Sequence, residues 1–234
     1  MNLENKNILL TGGSSGIGKA TAQILISKGA KVVITGRNKE RLEKVAAEIG
    51  AIPLVFDVAD LASIPSKAKE AVSLLGGAID TLINNAGIGV FPLLGAIKED
   101  DFYKIFTTNV FGLGLLTQEI TEIFKAQNFG NIINIGSTAA QKGFAMGTVY
   151  AASKFAVRGM TQSWQAELRK YNIRVCLVNP SEVTTAFFTS NDSEKPEESN
   201  KLSPQEIAHT IVSTLEMRDK GFVPEVTVWA TNPF

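Results

Sequence analysis

Cysteine and histidine are almost absent: the 234 residues hold one of each, Cys176 and His209. A single cysteine excludes an intramolecular disulfide and any thiolate cluster. It also makes a reducing, cytoplasmic location the default expectation. A single histidine excludes a His-rich metal centre, so no metal site is expected, and it leaves a Ser-His-Asp triad only one candidate base. Net charge is missing too. The 23 basic and 23 acidic side chains cancel, so no overall field draws the chain onto nucleic acid or an anionic membrane. No apolar run is long enough to span a bilayer, and the polar start at residues 1–6 does not read as a secretory leader. What is present is ordinary globular material. At 44% hydrophobic residues over this length, a full core can be buried without disulfide staples.

Apolar, β-rich runs alternate with longer amphipathic stretches. Strands are expected at residues 7–10, 31–35, 52–56, 79–84, 131–135, 173–178 and 226–229. Helices are expected at 16–28, 39–49, 60–75, 99–127, 149–170 and 204–217. Most of the strand runs are continuously apolar instead of alternating, which suits strands buried on both faces. Regular strand-helix alternation then predicts an α/β, doubly wound parallel sheet with helices on both faces. No linker divides the chain, so one domain over residues 1–234 is expected. The polar run 190–203, which contains Pro196, reads as a loop, with a ligand-ordered lid as its sharper reading.

Chemistry is suggested first by Thr11-Gly12-Gly13-Ser14-Ser15-Gly16-Ile17-Gly18, between the first strand and the first helix. Glycines allow a tight turn and close backbone approach to a phosphate, and the helix N-terminus favours an anion. The P-loop lysine is lacking, since Lys19 follows the last glycine. A plain strand-to-helix turn is the competing reading. After the second strand stands Arg37, where dinucleotide folds often carry an acid for the ribose 2′-hydroxyl. The guanidinium suits a 2′-phosphate and favours NADP over NAD, although NAD remains possible; a solvated neighbour of a helix cap is the alternative. Asp57 and Val58 end the third strand and could meet an adenine, or Asp57 could cap the next helix.

Tyr150 and Lys154 are four apart at the start of a helix, hence on one face. An adjacent ammonium favours the phenolate. Lowering a tyrosine from about 10 to about 7 requires roughly 4 kcal/mol, which Lys154 and a nicotinamide cation together could supply. Ser137 lies just past the fifth strand, and Asn84-Asn85-Ala86-Gly87 follows the fourth, at carboxyl ends where such sheets bind ligands. Both could equally be turn chemistry. Asn109 and Gly112 fall in mid-helix against their propensity, which marks a functional or strained place. Phe91, Met146, Phe187 and Phe188 could shape an apolar pocket or belong to the core. His209 reads as a partly buried structural residue and Cys176 as a small hydrophobe in a buried strand.

Taken together and in order, Thr11-Gly-x-x-x-Gly-x-Gly18, Asp57, Asn84-Asn-Ala-Gly87, Asn109, Ser137, Tyr150-x-x-x-Lys154 and Asn179-Pro180 resemble the short-chain dehydrogenase/reductase family over essentially the whole chain. The resemblance implies a seven-stranded sheet in the order 3-2-1-4-5-6-7. It implies hydride transfer between a nicotinamide and the carbon of a small carbonyl or alcohol substrate. Tyr150 would be the general acid/base and Ser137 the group that orients the oxygen. Lys154 would tune Tyr150 and bind the nicotinamide ribose, and Asn109 would hold a relay water. Gly12, Ser14, Ser15, Gly16, Ile17 and Gly18 would bracket the pyrophosphate side. Asn85, Ala86 and Gly87 would line the ribose, while Pro180, Val183 and Thr185 would face the carboxamide and diphosphate. Ser181 stands where the family usually has glycine, and the usual glycine-rich C-terminal segment is missing. The latter resembles shorter members acting on small hydroxy acids, sugars or diketones. A homotetramer or dimer, built through helices around 103–127 and 150–170, is implied as the partner state. A non-catalytic dinucleotide sensor, or an epimerase or dehydratase that uses the cofactor transiently, are the alternative functions.

Overall fold

The computed structural model describes residues 1–185, 187, 198 and 200–232. Seven strands form one parallel sheet: β1 (Asn7–Leu10), β2 (Lys31–Gly36), β3 (Ile52–Val55), β4 (Thr81–Asn84), β5 (Gly130–Ile135), β6 (Ile173–Pro180) and β7 (Glu225–Val228). Their order is β3-β2-β1-β4-β5-β6-β7, and every pairing is parallel. The order reverses direction between β1 and β4, which opens a crevice at their carboxyl ends.

Period-two alternation within the strands feeds two separate cores. Ile8 and Leu10 of β1, Val32 and Ile34 of β2, and Ile133 and Ile135 of β5 face one way. They pack with Leu25 of α1 (Gly16–Ser27), Leu42 of α2 (Lys39–Ile49) and Ile207 and Ile211 of α7 (Pro204–Glu216). Leu9, Val33, Leu82 and Ile132 face the other way. They meet Ala68 of α3 (Ile64–Leu74), Ile120 and Phe124 of α5 (Leu113–Gln127) and Leu168 of α6 (Thr148–Leu168). Strands whose two faces are both covered read as continuous apolar runs, which is why they are visible in sequence. The edge strands β3 and β7 are only partly buried.

The stretch expected as one helix over 99–127 is broken. Between α4 (Glu99–Phe106) and α5 the chain takes a π-turn, Thr107–Gly112, that contains the disfavoured Asn109 and Gly112. Gly112 is required there: a Cβ would lie 2.1 Å from the Val58 carbonyl oxygen. His209 is exposed on α7, not partly buried. The buried stripe of that helix runs through Ile207, Ala208, Ile211, Val212 and Leu215, leaving position 209 outside. Cys176 is buried, and burial pushes its thiol up to about 12, so it is chemically inert. Among the described residues no helix is long and apolar enough to cross a membrane, and no cluster of three or more His, Cys, Asp or Glu could hold a metal ion.

Candidate active site

The glycine loop joins β1 to α1. Gly12 (φ +69°) and Gly16 (φ +49°) occupy the left-handed region that strains any side chain. Gly18 is glycine for a different reason: a Cβ there would stand 2.2 Å from the Gly12 carbonyl oxygen. Ser15 precedes α1 without a side-chain cap bond, and the first turn of the helix carries its partial positive charge. Asn85 braces this loop. Its Nδ2 donates to the Thr11 and Gly12 carbonyl oxygens at 3.0 Å each, while Thr11 Oγ1 accepts from Asn85 N–H at 3.1 Å and Ala86 N–H at 3.0 Å. The Asn85 amide is thus spent on the loop, although the residue still borders the cleft. A cradle of this shape, closed to any Cβ and left uncapped, fits a pyrophosphate.

The cleft has a volume of about 1220 Å³ and runs from this loop toward α6. At one end it is bordered by Ser14, Arg37, Asp57 and Val58. Arg37 is exposed. Asp57 Oδ1 accepts from Ala59 N–H at 2.9 Å, an Asx-type turn in place of the helix cap considered from sequence; Asp60 is the residue that precedes the next helical turn. Arg41 of α2 also borders the cleft and is not singled out by sequence. Its signal was a second arginine four residues after Arg37, in the first turn of a charged helix.

At the other end the structure brings Ser137, Tyr150, Lys154 and Asn109 together. Ser137 follows β5. Its Oγ accepts from Ala139 N–H at 3.1 Å and lies close enough to the Tyr150 phenol to draw its pKa down, so turn chemistry and proximity to Tyr150 coexist in one side chain. Lys154 lies one helical turn beyond Tyr150 on α6. Its Nζ donates to the Ile135 carbonyl oxygen at 2.9 Å and stands 5.8 Å from the Tyr150 ring centroid. Asn109 reaches in from the π-turn. Its Oδ1 accepts from Ile88 N–H at 2.9 Å, and its Nδ2 donates to the Ile88 carbonyl at 3.0 Å and to Ser153 Oγ at 3.2 Å. A Cβ on Gly87 would come within 3.3 Å of Asn109 Oδ1 and 3.8 Å of Lys154 Nζ, so glycine allows this convergence.

The electrostatics differ from the sequence expectation. Burial pushes the Tyr150 phenol up to about 12, against a smaller downward pull from Ser137. Burial holds Lys154 down to about 8. A site shielded from water disfavours phenolate and ammonium alike, so in the protein by itself Lys154 does not bring Tyr150 toward neutrality.

At the end of β6, Pro180 borders the cleft. Ser181 N–H donates to the Val228 carbonyl oxygen at 2.9 Å, so serine in the family's glycine position simply continues the pairing with β7. Val183 bridges Leu202. Thr185 returns to the glycine loop, its Cγ2 3.3 Å from where a Gly16 Cβ would be. Phe188 and most of the 190–203 run lie outside the described residues. At its end Lys201 pairs with Glu182 at 2.9 Å, and Ser203 caps α7. Phe91, Met146 and Phe187 all border the cleft, as does Phe144, which sequence reasoning missed. The signal for Phe144 was its place in the Gly143-to-Gly147 loop between Ser137 and Tyr150.

A family model described as short chain dehydrogenase matches residues 6–196. The NADP-dependent 3-hydroxy acid dehydrogenase of Schizosaccharomyces pombe is 34% identical, over 98% of this chain and 94% of its own. The 3-oxoacyl-acyl-carrier-protein reductase of Thermotoga maritima is 36% identical over 91% of each chain. Among solved structures, an alcohol dehydrogenase from the archaeon Thermococcus sibiricus, complexed with 5-hydroxy-NADP, superposes with a TM-score of 0.89 at 25% identity, covering 97% of both chains. The chain belongs to the short-chain dehydrogenase/reductase family of oxidoreductases.

Proposed function

We propose that the protein is an NADP-preferring oxidoreductase, acting as one catalytic unit over residues 1–234, that interconverts a carbonyl and a secondary alcohol. The observation that carries this reading is the Tyr150 phenol, beside Ser137 and one turn from Lys154, in the same cleft as the glycine cradle. When bound, the nicotinamide supplies the hydride for reduction and accepts it in oxidation.

The chain's own residues do the rest. Gly12, Ser14, Ser15, Gly16, Ile17 and Gly18 hold the pyrophosphate side. Arg37 receives the 2′-phosphate. Asp57 and Val58 meet the adenine, and Asn85, Ala86 and Gly87 border the ribose. Pro180, Val183 and Thr185 close the carboxamide side. The NADP in the name of the Schizosaccharomyces pombe relative and the 5-hydroxy-NADP in the Thermococcus sibiricus complex agree with the arginine at position 37.

Ser137 orients and polarises the carbonyl oxygen. Tyr150 gives its proton to that oxygen as negative charge develops on it, and takes one back in the reverse direction. A phenol held at about 12 keeps its proton until the stronger base, an alkoxide, forms beside it. That suits reduction. Lys154 supplies the positive charge that makes the resulting phenolate tolerable, and binds the ribose. The Asn109 amide is already engaged with Ile88 and Ser153, so a relay water at this position is met by the backbone of the π-turn.

Exposed apolar side chains on α4, the π-turn, α5 and α6, namely Phe102, Phe111, Leu115 and Phe155, support a homodimer or homotetramer, and the lone, buried Cys176 agrees with a cytoplasmic setting. The test is steady-state oxidation of NADPH and of NADH across a panel of ketones and oxo acids. Turnover with NADPH favoured supports the reading. Tight binding of NADPH with no oxidation by any carbonyl overturns it in favour of a dinucleotide sensor.

A further inference from the structure

The end of the cleft beside Tyr150 is walled by aromatic rings. Phe91 lies tilted against Tyr150, centroids 5.2 Å apart at 58°. Phe187 meets Tyr150 edge-on at 5.8 Å and 63°. Phe144 extends the wall, 6.1 Å from Phe91 at 44°. Two glycines clear the room for these rings. A Cβ on Gly89 would lie 2.7 Å from Phe91 and 2.8 Å from Phe187, and one on Gly147 would lie 2.7 Å from Phe144.

Although they border the cleft, Phe144 is 50% exposed, Met146 48% and Phe187 36%. Apolar surface is therefore presented at the cleft mouth and not committed to the core. Met146 is held at φ +66°, a backbone conformation that costs an ordinary side chain energy and that concentrates at ligand-contacting segments. Of the cations that border the cleft among the described residues, Arg37 and Arg41 follow Gly36 after β2, Lys104 is exposed on α4, and Lys154, 5.8 Å from the Tyr150 ring centroid, is engaged with the Ile135 carbonyl.

We infer that the substrate is an aryl ketone, its ring clasped by Phe91, Phe144 and Phe187 and its carbonyl oxygen facing Ser137 and Tyr150. The inference rests on the carbonyl-reductase reading and goes beyond it in naming the class. A carbonyl within hydrogen-bond reach of Tyr150 lies at the end of the cleft that Phe91 and Phe187 wall, their centroids under 6 Å from that of Tyr150. Rings tilted in this way offer both edges and faces, the arrangement in which aromatic pairs gain beyond simple burial. A saturated group gains burial only. A carboxylate would lose its hydration against phenyl faces.

The reaction balances with the reduced nicotinamide dinucleotide as co-reactant. The ketone carbon gains a hydride, and with it two electrons; the oxygen gains the Tyr150 proton; the secondary alcohol and oxidised dinucleotide leave; and Tyr150 recovers a proton from water.

The experiment is NADPH oxidation with acetophenone, methyl cyclohexyl ketone, 2-butanone and 3-oxobutanoate. Acetophenone is expected to exceed methyl cyclohexyl ketone in kcat/KM by about tenfold, the gain from one or two aromatic contacts. It is expected to exceed 3-oxobutanoate by more. In Phe144→Leu and Phe187→Leu, the ratio of acetophenone to 2-butanone kcat/KM is expected to fall by about tenfold, mostly through KM. Parity of acetophenone with the cyclohexyl ketone, preference for 3-oxobutanoate, or an unmoved ratio in both variants overturns the inference while leaving carbonyl reduction standing. Failure of all four carbonyls to oxidise NADPH overturns the inference and the reading beneath it together.

Discussion

Lys154 Nζ stands 5.8 Å from the Tyr150 ring centroid and gives a hydrogen bond to the Ile135 carbonyl oxygen at 2.9 Å. That acceptor is neutral, so it offsets little of the cost of burying an ammonium, and the proton of Lys154 is held only to about pH 8. The site therefore carries an unfavourable charge for the sake of the tyrosine beside it.

That cost has a pH signature. Between about pH 8 and 10.5 the unfolded chain keeps a lysine proton that the native protein has already released. The contribution of Lys154 to stability therefore rises with pH through this window, and its penalty is complete below pH 8. Urea unfolding of the parent and of Lys154→Met at pH 7 and pH 10.5 isolates the effect. Tyr150 and Cys176, both pushed up to about 12, lose stability as pH rises past 10 and 9 respectively, and they do so in both proteins. The parent should gain about 3 kcal/mol relative to the variant across the window. A gap that does not change with pH contradicts the assignment.

Arg37 should govern cofactor choice. A charge-assisted hydrogen bond to a 2′-phosphate is worth about 1.5–3 kcal/mol. Arg37→Ala is thus expected to raise the NADPH KM by about tenfold or more and the NADH KM by less than about twofold. Equal changes in the two constants would place the 2′-phosphate elsewhere.

Ser137 is steadied from the sheet's last strand. Its N–H donates to Asn179 Oδ1 at 3.2 Å, and Asn179 Nδ2 donates to Glu225 Oε1 at 2.8 Å. Arg158 and Gln141 hold the same carboxylate, at 3.1 and 3.0 Å. Glu225→Ala is expected to lower kcat by roughly three- to tenfold, the scale of one hydrogen bond, with the NADPH KM little changed and Glu225→Asp recovering part of the loss. A KM effect without a kcat effect would make Glu225 merely structural.

Much of this architecture is legible in sequence, for reasons that particular residues make clear. Strands such as β1 and β2 are buried on both faces, so consecutive positions such as Ile8-Leu9-Leu10 and Val32-Val33-Ile34 are all apolar and stand out from surface segments. Gly12 and Gly18 announce the phosphate loop because each is demanded by backbone geometry that nothing else satisfies. Asn109 and Gly112 betray the π-turn by violating helix propensity.

Other features depend on contacts between distant segments. Glu225 reaches Ser137 through Asn179, across two strand pairings. Phe144 borders the cleft two residues before the left-handed Met146, a backbone conformation that methionine does not announce. The acidity of Tyr150 follows from how deeply it is buried, a property that spacing to Lys154 cannot express.

The account turns on Tyr150 as the proton donor, and removal of that one oxygen tests it most directly. Tyr150→Phe keeps the ring contacts with Phe91 and Phe187 and deletes only the hydroxyl. The measurement is single-turnover NADPH oxidation with a saturating ketone, beside the NADPH Kd by fluorescence titration. The account predicts a rate lower by about 10²- to 10⁴-fold, the usual contribution of a positioned general acid, with Kd within about threefold of the parent. A rate within about tenfold of the parent, at unchanged Kd, would contradict it.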